Sequence, residues 1–242
     1  MTRASRFLRF LYRLRDLRSR PLFEALDRYC RGDVLDVGGG DFFQSAARRG
    51  VRFASWTVLE PAAGRAAAVA DPRVRVVEGD GCAMTFADES YDTVLNVQVL
   101  EHVFEPIRMV QEIGRVLRAG GHAIFLIPQT SSTHLAPDYH GNFSRYWIAE
   151  AMARAGLVIV EQRPLGGLWS SMASHLFFFF LQSLRYDGMS DPAIRRGPAF
   201  YALYPLMLVF AALALPICLF LALGDLREEP NNHLVVARKP AR

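Results

Sequence analysis

The sequence predicts an α/β fold: one doubly wound, mostly parallel sheet of seven strands with helices on both faces. Short apolar runs alternate with helical stretches from Gly32 to Gln162, which is the pattern of consecutive βαβ units. The first apolar run ends in a glycine turn at Gly38, Gly39 and Gly40, as is common where the first strand of such a sheet meets its helix. The 242 residues are 51% hydrophobic and 21% charged, so the chain can bury one sizeable core.

The element boundaries follow in chain order. Strands are predicted at residues 34–37, 55–59, 74–78, 91–97, 122–127, 157–162 and 233–238. Helices are predicted at residues 1–30, from the glycine turn through residue 49, in the Ala-rich stretch after the second strand, at 104–117 and at 147–155. Residues 118–121, Arg-Ala-Gly-Gly, have the composition of a helix stop.

An apolar insertion separates the sixth predicted strand from the last one. Residues 168–184 include Phe177–Phe180 and no formal charge, and residues 199–223 are wholly uncharged, long enough as helix to cross a hydrocarbon core of about 30 Å. Two buried core helices are the plain alternative, but membrane contact is favoured because such a connection is usually short. A hairpin dipping into the cytoplasmic leaflet is preferred to two full spans, because the connecting segment carries arginines and the second helix contains prolines: Arg185, Arg195, Arg196, Pro205 and Pro216.

The N-terminal segment is strongly basic. Seven arginines fall between Arg3 and Arg20, against Asp16 as the single acid, and an apolar stripe repeats at helical spacing: Phe7, Phe10, Leu11, Leu14 and Leu17. A solvated face of a helix packed on the domain and a helix lying in a membrane interface fit this pattern equally well. The charge points to a polyanion, either an anionic membrane or nucleic acid; without aromatic residues interleaved as in RNA-binding modules, nucleic acid is not expected.

The cysteines and the N-terminus indicate the compartment. Cys30, Cys82 and Cys218 are far apart, so neither a disulfide framework nor a zinc knuckle is expected and a reducing compartment is the default. The N-terminus lacks the apolar core of a secretory signal, although its arginines also resemble a mitochondrial transit peptide. We expect the domain to lie at the cytoplasmic face of a membrane, peripheral or monotopic, with two spans as the alternative.

The glycine turn and the residue before it indicate a cationic ligand. A turn of this kind lets a ligand approach the backbone beside a helix N-terminus. The dinucleotide fingerprint would need its third glycine where Phe43 stands, which disfavours a diphosphate. Asp36, two residues before the first glycine, suits an ammonium group instead.

Further polar residues stand where the next strands end. Glu60 ends the second strand, where an acid can accept both hydroxyls of a ribose. Asp80 and Gly81 follow the third strand, where a carboxylate can accept from an adenine amino group. Asn96 and Gln98 end the fourth, at the crevice where doubly wound sheets bind ligands.

Together these motifs resemble the class I methyltransferases that use S-adenosylmethionine, specifically their type 11 branch. The pattern is present as LDVGGG, an acid at Glu60, EGDG, the stretch Tyr91–Val94, VLEHV at 99–103, RVLRAGG and the closing LVVARKP. The resemblance covers about residues 30–165 and the last strand. It implies a Rossmann-like fold and S-adenosylmethionine as cofactor. Together with the basic and apolar segments described above, it gives the division 1–30 basic helix, 31–165 methyltransferase domain, 166–228 membrane-associating hairpin and 229–242 last strand.

The family's chemistry is in-line attack of a substrate atom on the cofactor methyl, which needs positioning, exclusion of water and, for a hydroxyl acceptor, a base. His134 and His140 in the loop after the fifth strand are the candidate bases, and Tyr139 and Arg145 could orient the acceptor. His102 is expected to be a packing or capping residue. No metal site is predicted, because His134, Asp138 and His140 match no strong ligand spacing.

A narrower resemblance concerns the acceptor. Pro128, His134 and the run Pro137–Tyr139, then Gly166-Gly167 and apolar helices, are similar to bacterial methyltransferases of polysaccharide or lipid-linked pathways, although His140-Gly141-Asn142 interrupts their usual aromatic run. We therefore expect a membrane-associated methyltransferase with a membrane lipid or lipid-linked acceptor. The alternatives are a soluble natural-product methyltransferase with an apolar lid, and a non-catalytic membrane scaffold. The oligomeric state stays open.

Overall fold

The computed structural model describes residues 19–62, 71–186 and 188–241. Most of the predicted N-terminal helix, with six of the seven arginines between Arg3 and Arg20, lies outside these residues. The predicted Ala-rich helix after the second strand also lies outside them. The described chain starts in helix α1, residues 19–29, whose Leu22, Ala25 and Leu26 are buried. That part of the predicted N-terminal helix therefore packs on the domain.

The fold is the predicted doubly wound sheet of seven strands. Its order is β3-β2-β1-β4-β5-β7-β6, and only β7 runs antiparallel to its neighbours. The strands are β1 Asp33–Val37, β2 Ser55–Glu60, β3 Val74–Glu78, β4 Tyr91–Val97, β5 Leu117–Pro128, β6 Val158–Leu165 and β7 Asn232–Arg238. The further helices are α2 Phe42–Arg48, α3 Pro106–Val116, α4 Arg145–Arg154, α5 Leu168–Ser183 and α6 Pro198–Leu221.

The two faces of the sheet bury separate apolar clusters, because successive residues of a strand point to opposite faces. In β4, Val94 packs with α3 and α4 residues on one face, while Leu95 packs with α1 and α2 residues on the other. Both are fully buried. The central strands therefore read as continuous apolar runs, as expected for a parallel sheet covered on both sides.

Two strand boundaries differ from the prediction by more than one residue, both because sheet pairing overrides local sequence signals. Residues 117–121, expected to end a helix, are the first residues of β5, where Leu117 pairs with Tyr91 and Gly120 takes a positive φ of 80°. Lys239 donates from Nζ to the carbonyl oxygens of Gly114 and Leu117 at 2.9 and 2.8 Å, which satisfies the end of α3. β6 runs on to Leu165 and contains Pro164, which is tolerated because β6 is an edge strand.

The predicted insertion forms α5 and α6, placed between β6 and β7. They pack on each other through Tyr204, whose hydroxyl donates to Ser183 Oγ at 3.0 Å, and through Arg196, which donates to the Gln182 and Ser183 carbonyls. Asp225 accepts from the backbone N–H of Trp169 at 2.8 Å and so ties the base of the hairpin together.

Helix α6 is not a core helix of this fold. Its buried residues are Ala211 and Cys218, while large apolar side chains such as Leu206, Phe210 and Leu213 are more than 60% exposed. Among the described residues, the span Pro198–Gly224 is the one helical stretch long and apolar enough to cross a membrane. Its most apolar 18 residues have a mean hydropathy of 2.8, and 11% of them are buried. The alternative of two buried core helices is therefore not met by α6.

Candidate active site

The glycine turn lies where the carboxyl ends of β1, β2 and β4 meet. The Gly38 N–H donates to the Leu59 carbonyl of β2 at 2.8 Å, and Gly38 and Gly40 have positive φ values of 72° and 53°. A Cβ at Gly38 would lie 2.8 Å from both methyl carbons of Val99, so the residues after β4 pack directly against the turn. The turn therefore needs glycine for its backbone conformation and for this close approach.

Asp36 is the buried acid of this turn. Its carboxylate is fully buried; Oδ2 accepts from Trp56 Nε1 at 3.3 Å, and Oδ1 has no hydrogen-bond partner among the described residues. Burial raises the pKa of Asp36 to about 7. The carboxylate lies so close to Gly39 that any Cβ there would overlap it. An unsatisfied buried carboxylate beside a glycine turn fits a cationic group that approaches the backbone.

Glu60 is held against the same turn. It is buried at the end of β2, and its Oε1 accepts the Gly40 N–H at 2.7 Å. A carboxylate accepts several hydrogen bonds, so this bond leaves acceptor capacity for ligand hydroxyls. The structure thus brings Asp36, Gly38, Gly39, Gly40 and Glu60 into one continuous site.

The other predicted cofactor residues have mixed positions. Asp80 is exposed and accepts the Cys82 N–H at 2.8 Å, while Gly81 is buried with no room for a side chain against Met109. Asn96 is buried and donates to Met109 Sδ at 3.3 Å. Gln98, with a positive φ of 59°, donates to Asn232 Oδ1 and so links the end of β4 to β7. Gln98 is thus engaged by the protein, whereas Asn96 Oδ1, like Oδ1 of Asp36, has no hydrogen-bond partner among the described residues.

A second polar cluster follows β4. The rings of His102 and His134 lie 4.9 Å apart, and Tyr139 lies 5.0 Å from His134 and 5.9 Å from His102. The Tyr139 hydroxyl donates to the Ser131 carbonyl at 3.0 Å. His140 is outside this ring cluster: it is exposed and packs on Phe104 at 5.6 Å. The structure brings the His134 and Tyr139 rings together and leaves the His140 ring outside them, although the His140 N–H donates to the Glu101 carbonyl at 2.6 Å.

Glu101 is the residue of this cluster that the sequence prediction missed. It is fully buried, and both carboxylate oxygens lack a hydrogen-bond partner among the described residues. Burial raises its pKa to about 7 and lowers the pKa of the neighbouring His102. His102 Nε2 lies 4.0 Å from Glu101 Oε1. The signal was present in the VLEHV motif, where an acid and a histidine are adjacent after a buried strand.

The loop after β5 connects this cluster to the hairpin. The His134 ring lies 6.3 Å from Phe178 of α5, and Gln182 donates to the Thr133 carbonyl at 3.0 Å. Closer to β5, the Thr130 and Ser171 hydroxyls are 2.8 Å apart. Arg145, expected to orient an acceptor, is exposed at the start of α4, where its guanidinium lies over Tyr146.

The chain is similar in sequence to known methyltransferases. Residues 35–125 match the family model described as a methyltransferase domain. The chain is 41% identical over 93 residues to an uncharacterized methyltransferase of Mycobacterium sp. (strain JLS), covering 38% of this chain and 36% of the relative. It is 32% identical over 128 residues to a probable S-adenosylmethionine-dependent methyltransferase of Mycolicibacterium smegmatis, covering 50% and 47%.

The fold is also similar to that of solved methyltransferase structures. A putative methyltransferase from Bacillus halodurans superposes with a TM-score of 0.58 at 15% identity, covering 91% of this chain and 98% of that one. Residues 35–125 thus match the type 11 methyltransferase domain that the motifs from β1 to β5 predicted, and the whole fold is the Rossmann-like fold of solved methyltransferases. This chain spans 36% to 47% of the length of the two curated relatives.

Proposed function

We propose that the protein is an S-adenosylmethionine-dependent methyltransferase that works at the cytoplasmic face of a membrane on a lipid or lipid-linked acceptor. The observation that carries the enzymatic part is the buried Asp36 carboxylate, with one oxygen unsatisfied beside a turn closed to any side chain at Gly39. This pocket suits the ammonium group of the cofactor. Glu60 would accept the ribose hydroxyls, and Asp80 and Gly81 would border the adenine.

When bound, S-adenosylmethionine supplies an activated methyl group for attack by an acceptor atom. The chain's own contribution is to hold and orient the acceptor and to exclude water. His134 and Tyr139 are the candidates for this task, because their rings are in contact. A neutral imidazole at His134 can remove a proton from an acceptor hydroxyl near neutral pH. His140, exposed on Phe104, would act only on an acceptor that reaches the outer side of the loop.

The membrane part of the proposal rests on the hairpin, residues 166–228. Helix α6 carries no charge and exposes its apolar side chains, and a surface of this kind is stable when a hydrocarbon phase covers it. Phe178 of α5 touches the ring of His134, so an acceptor held by its apolar part at the hairpin would present its polar end to the histidine. A dip into one leaflet remains our preference over two spans.

Calorimetric titration tests the cofactor part. Detergent-purified protein should bind S-adenosylhomocysteine and not NAD, and Asp36→Asn should weaken the binding at least about tenfold, since a charge-assisted bond is lost. Thermal unfolding of each preparation confirms that it is folded. If folded wild-type protein binds neither ligand, the non-catalytic scaffold becomes the better account.

Flotation with lipid vesicles tests the membrane part. The full chain should float with vesicles of phosphatidylglycerol and phosphatidylethanolamine and resist extraction at high salt, because burial of apolar surface is not screened. A protein that stays soluble without detergent and ignores vesicles would favour the soluble enzyme with an apolar lid.

A further inference from the structure

Three ligand-type side chains converge behind the glycine turn. One potential ligand atom from each of Glu101, His102 and His134 lies within 4.8 Å of the others. We propose that these residues bind a divalent first-row metal ion, with Zn²⁺ and Mn²⁺ as the best-suited cations. This site is separate from the cofactor pocket, and its metal binding does not depend on the proposed methyl transfer. A His134 that binds the ion through Nε2 no longer serves as the base for an acceptor hydroxyl, and a hydroxyl bound to the ion would then be activated by the ion itself.

Both histidines are oriented as metal ligands usually are. Nδ1 of His102 is bonded to the Asp138 carbonyl, and Nδ1 of His134 is 2.9 Å from the Ser132 carbonyl. A carbonyl only accepts, so Nδ1 must carry the proton in each ring, and Nε2 is left with its lone pair. Fixing the tautomer through a backbone carbonyl is the common second-shell arrangement of ligating histidines.

The cluster lacks a donor of its own. Glu101 offers two oxygens that no described group satisfies, and the two imidazoles offer nitrogen lone pairs. A carboxylate that is buried without a counter-charge is costly, and a bound cation removes that cost. Two histidines and one carboxylate form a set that binds divalent iron, manganese or zinc and leaves coordination positions open.

The present distances require only a small contraction. His102 Nε2 is 4.0 Å from Glu101 Oε1, whereas neighbouring ligands of a bound Zn²⁺ are about 3 Å apart, given metal–ligand bonds of about 2.0–2.2 Å. Rotation of side chains can supply this change, because the His134 ring belongs to a surface loop. The loop itself is tied to α5 by Gln182, so His134 stays near the cluster.

The position of the cluster gives the ion a role. Val99, two residues before Glu101, packs on Gly38 of the turn, and His134 packs on Phe178 of the hairpin. The ion would therefore lie between the cofactor turn and the apolar helices, with open positions for an oxygen of the acceptor. Hydroxyl, carboxylate and phosphate oxygens are the ligands such a position takes.

Titration of the untagged full chain tests the site. Detergent-purified protein is stripped with a chelator and titrated with Zn²⁺, Mn²⁺ and Mg²⁺ by calorimetry, without cofactor. We expect one Zn²⁺ or Mn²⁺ per chain and weaker Mg²⁺ binding, and the electron paramagnetic resonance spectrum of Mn²⁺ should change on binding. Glu101→Gln and His134→Ala should each lower the affinity by about tenfold or more.

The matched control is His140→Ala, a histidine of the same loop outside the ring cluster, which should keep the wild-type affinity. Thermal unfolding of each variant reports on folding, and binding of S-adenosylhomocysteine is measured separately. The proposal is overturned if the stripped wild type binds neither Zn²⁺ nor Mn²⁺, or if Glu101→Gln and His134→Ala bind like His140→Ala. In that case the three acceptors share a proton instead of a metal ion. If metal binds but S-adenosylhomocysteine does not, the metal site stands and the proposed function fails.

Discussion

The glycine turn and helix α6 break the usual rule of burial in opposite directions. At the turn, the polar Asp36 and Glu60 are buried. Along α6, large apolar residues such as Phe210 and Leu213 face outward. A buried polar group and an exposed apolar surface are the two departures that carry information, because scattered exposed apolar residues are normal. The first departure supports the proposed binding of a cationic group at the turn, and the second supports the proposed contact of α6 with a membrane.

The two regions should therefore respond differently to the same kind of substitution. Gly39→Ala should lower the affinity for S-adenosylhomocysteine by about a hundredfold or more. The reason is that the new Cβ would overlap the Asp36 carboxylate. Gly197→Ala, before α6, is the control: nothing lies within 4 Å of its Cβ position. Equal affinities in calorimetry would mean that the turn relaxes and that Asp36 does not form the pocket.

A charge on α6 tests the other region. Leu213→Glu should lower vesicle binding by about tenfold to a hundredfold, because an acid inside a bilayer costs up to about 3 kcal/mol, with unchanged affinity for S-adenosylhomocysteine. Val158→Glu is the control, since Val158 is an exposed apolar residue on the edge strand β6. If both variants float like the wild type, α6 does not enter the lipid.

The pH dependence of cofactor binding sharpens the account of Asp36. Its pKa of about 7 is above the ordinary value of 3.8, so the ligand-free fold favours the protonated carboxyl. The contribution of this group to the free energy of unfolding is present at low pH and is lost as the pH rises through 7. An ammonium group prefers the ionised form, so the affinity for S-adenosylhomocysteine should rise about fivefold to tenfold from about pH 6 to about pH 8.

Asp36→Asn should remove that rise, because an amide does not titrate in this range. Glu101 also has a raised pKa. The pH dependence of the affinity for S-adenosylhomocysteine is therefore also measured for Glu101→Gln, which shows which carboxyl causes the rise. A rise that persists in Asp36→Asn and disappears in Glu101→Gln would transfer the effect to the second cluster.

Local patterns predicted most of the fold. The strands from β1 to β4 were predicted to within one residue at each end, because they are mainly apolar runs that end at a glycine, an acid or an amide. The placement of β7 after the hairpin also followed from the sequence. The start of β5 did not, because Arg-Ala-Gly-Gly is a good helix stop and only pairing of Leu117 with Tyr91 makes it strand.

The site was predictable where its residues are close in sequence to a motif. Asp36 and Glu60 stand at strand ends, which a sequence reveals. The approach of His134 to Glu101 depends on how the loop after β5 folds back over the end of β4, and no periodicity encodes that path. Gln98, expected at the crevice, instead bonds to Asn232 of β7, a partner distant in the chain.

The smallest expected effect concerns the loop between Gly81 and β4, which borders the adenine side of the proposed pocket. Arg115 of α3 donates to the carbonyls of Met84 and Phe86 at 2.9 and 2.8 Å and bonds the carboxylates of Glu112 and Asp88. Arg115→Ala should lower the free energy of unfolding by about 1–3 kcal/mol, since two carbonyls lose a charged donor.

The matched control for that change is Arg154→Ala, which breaks one exposed ion pair with Glu150 and should change stability by less than about 0.5 kcal/mol. Urea unfolding measures both variants. Cofactor affinity should fall only a few-fold in Arg115→Ala, because the loop is anchored there and does not itself hold the ammonium or the ribose. If Arg115→Ala lowered the affinity for S-adenosylhomocysteine as much as Gly39→Ala does, the adenine side of the pocket would dominate cofactor binding. The buried carboxylate of Asp36 would then not be the group that distinguishes the turn from α6.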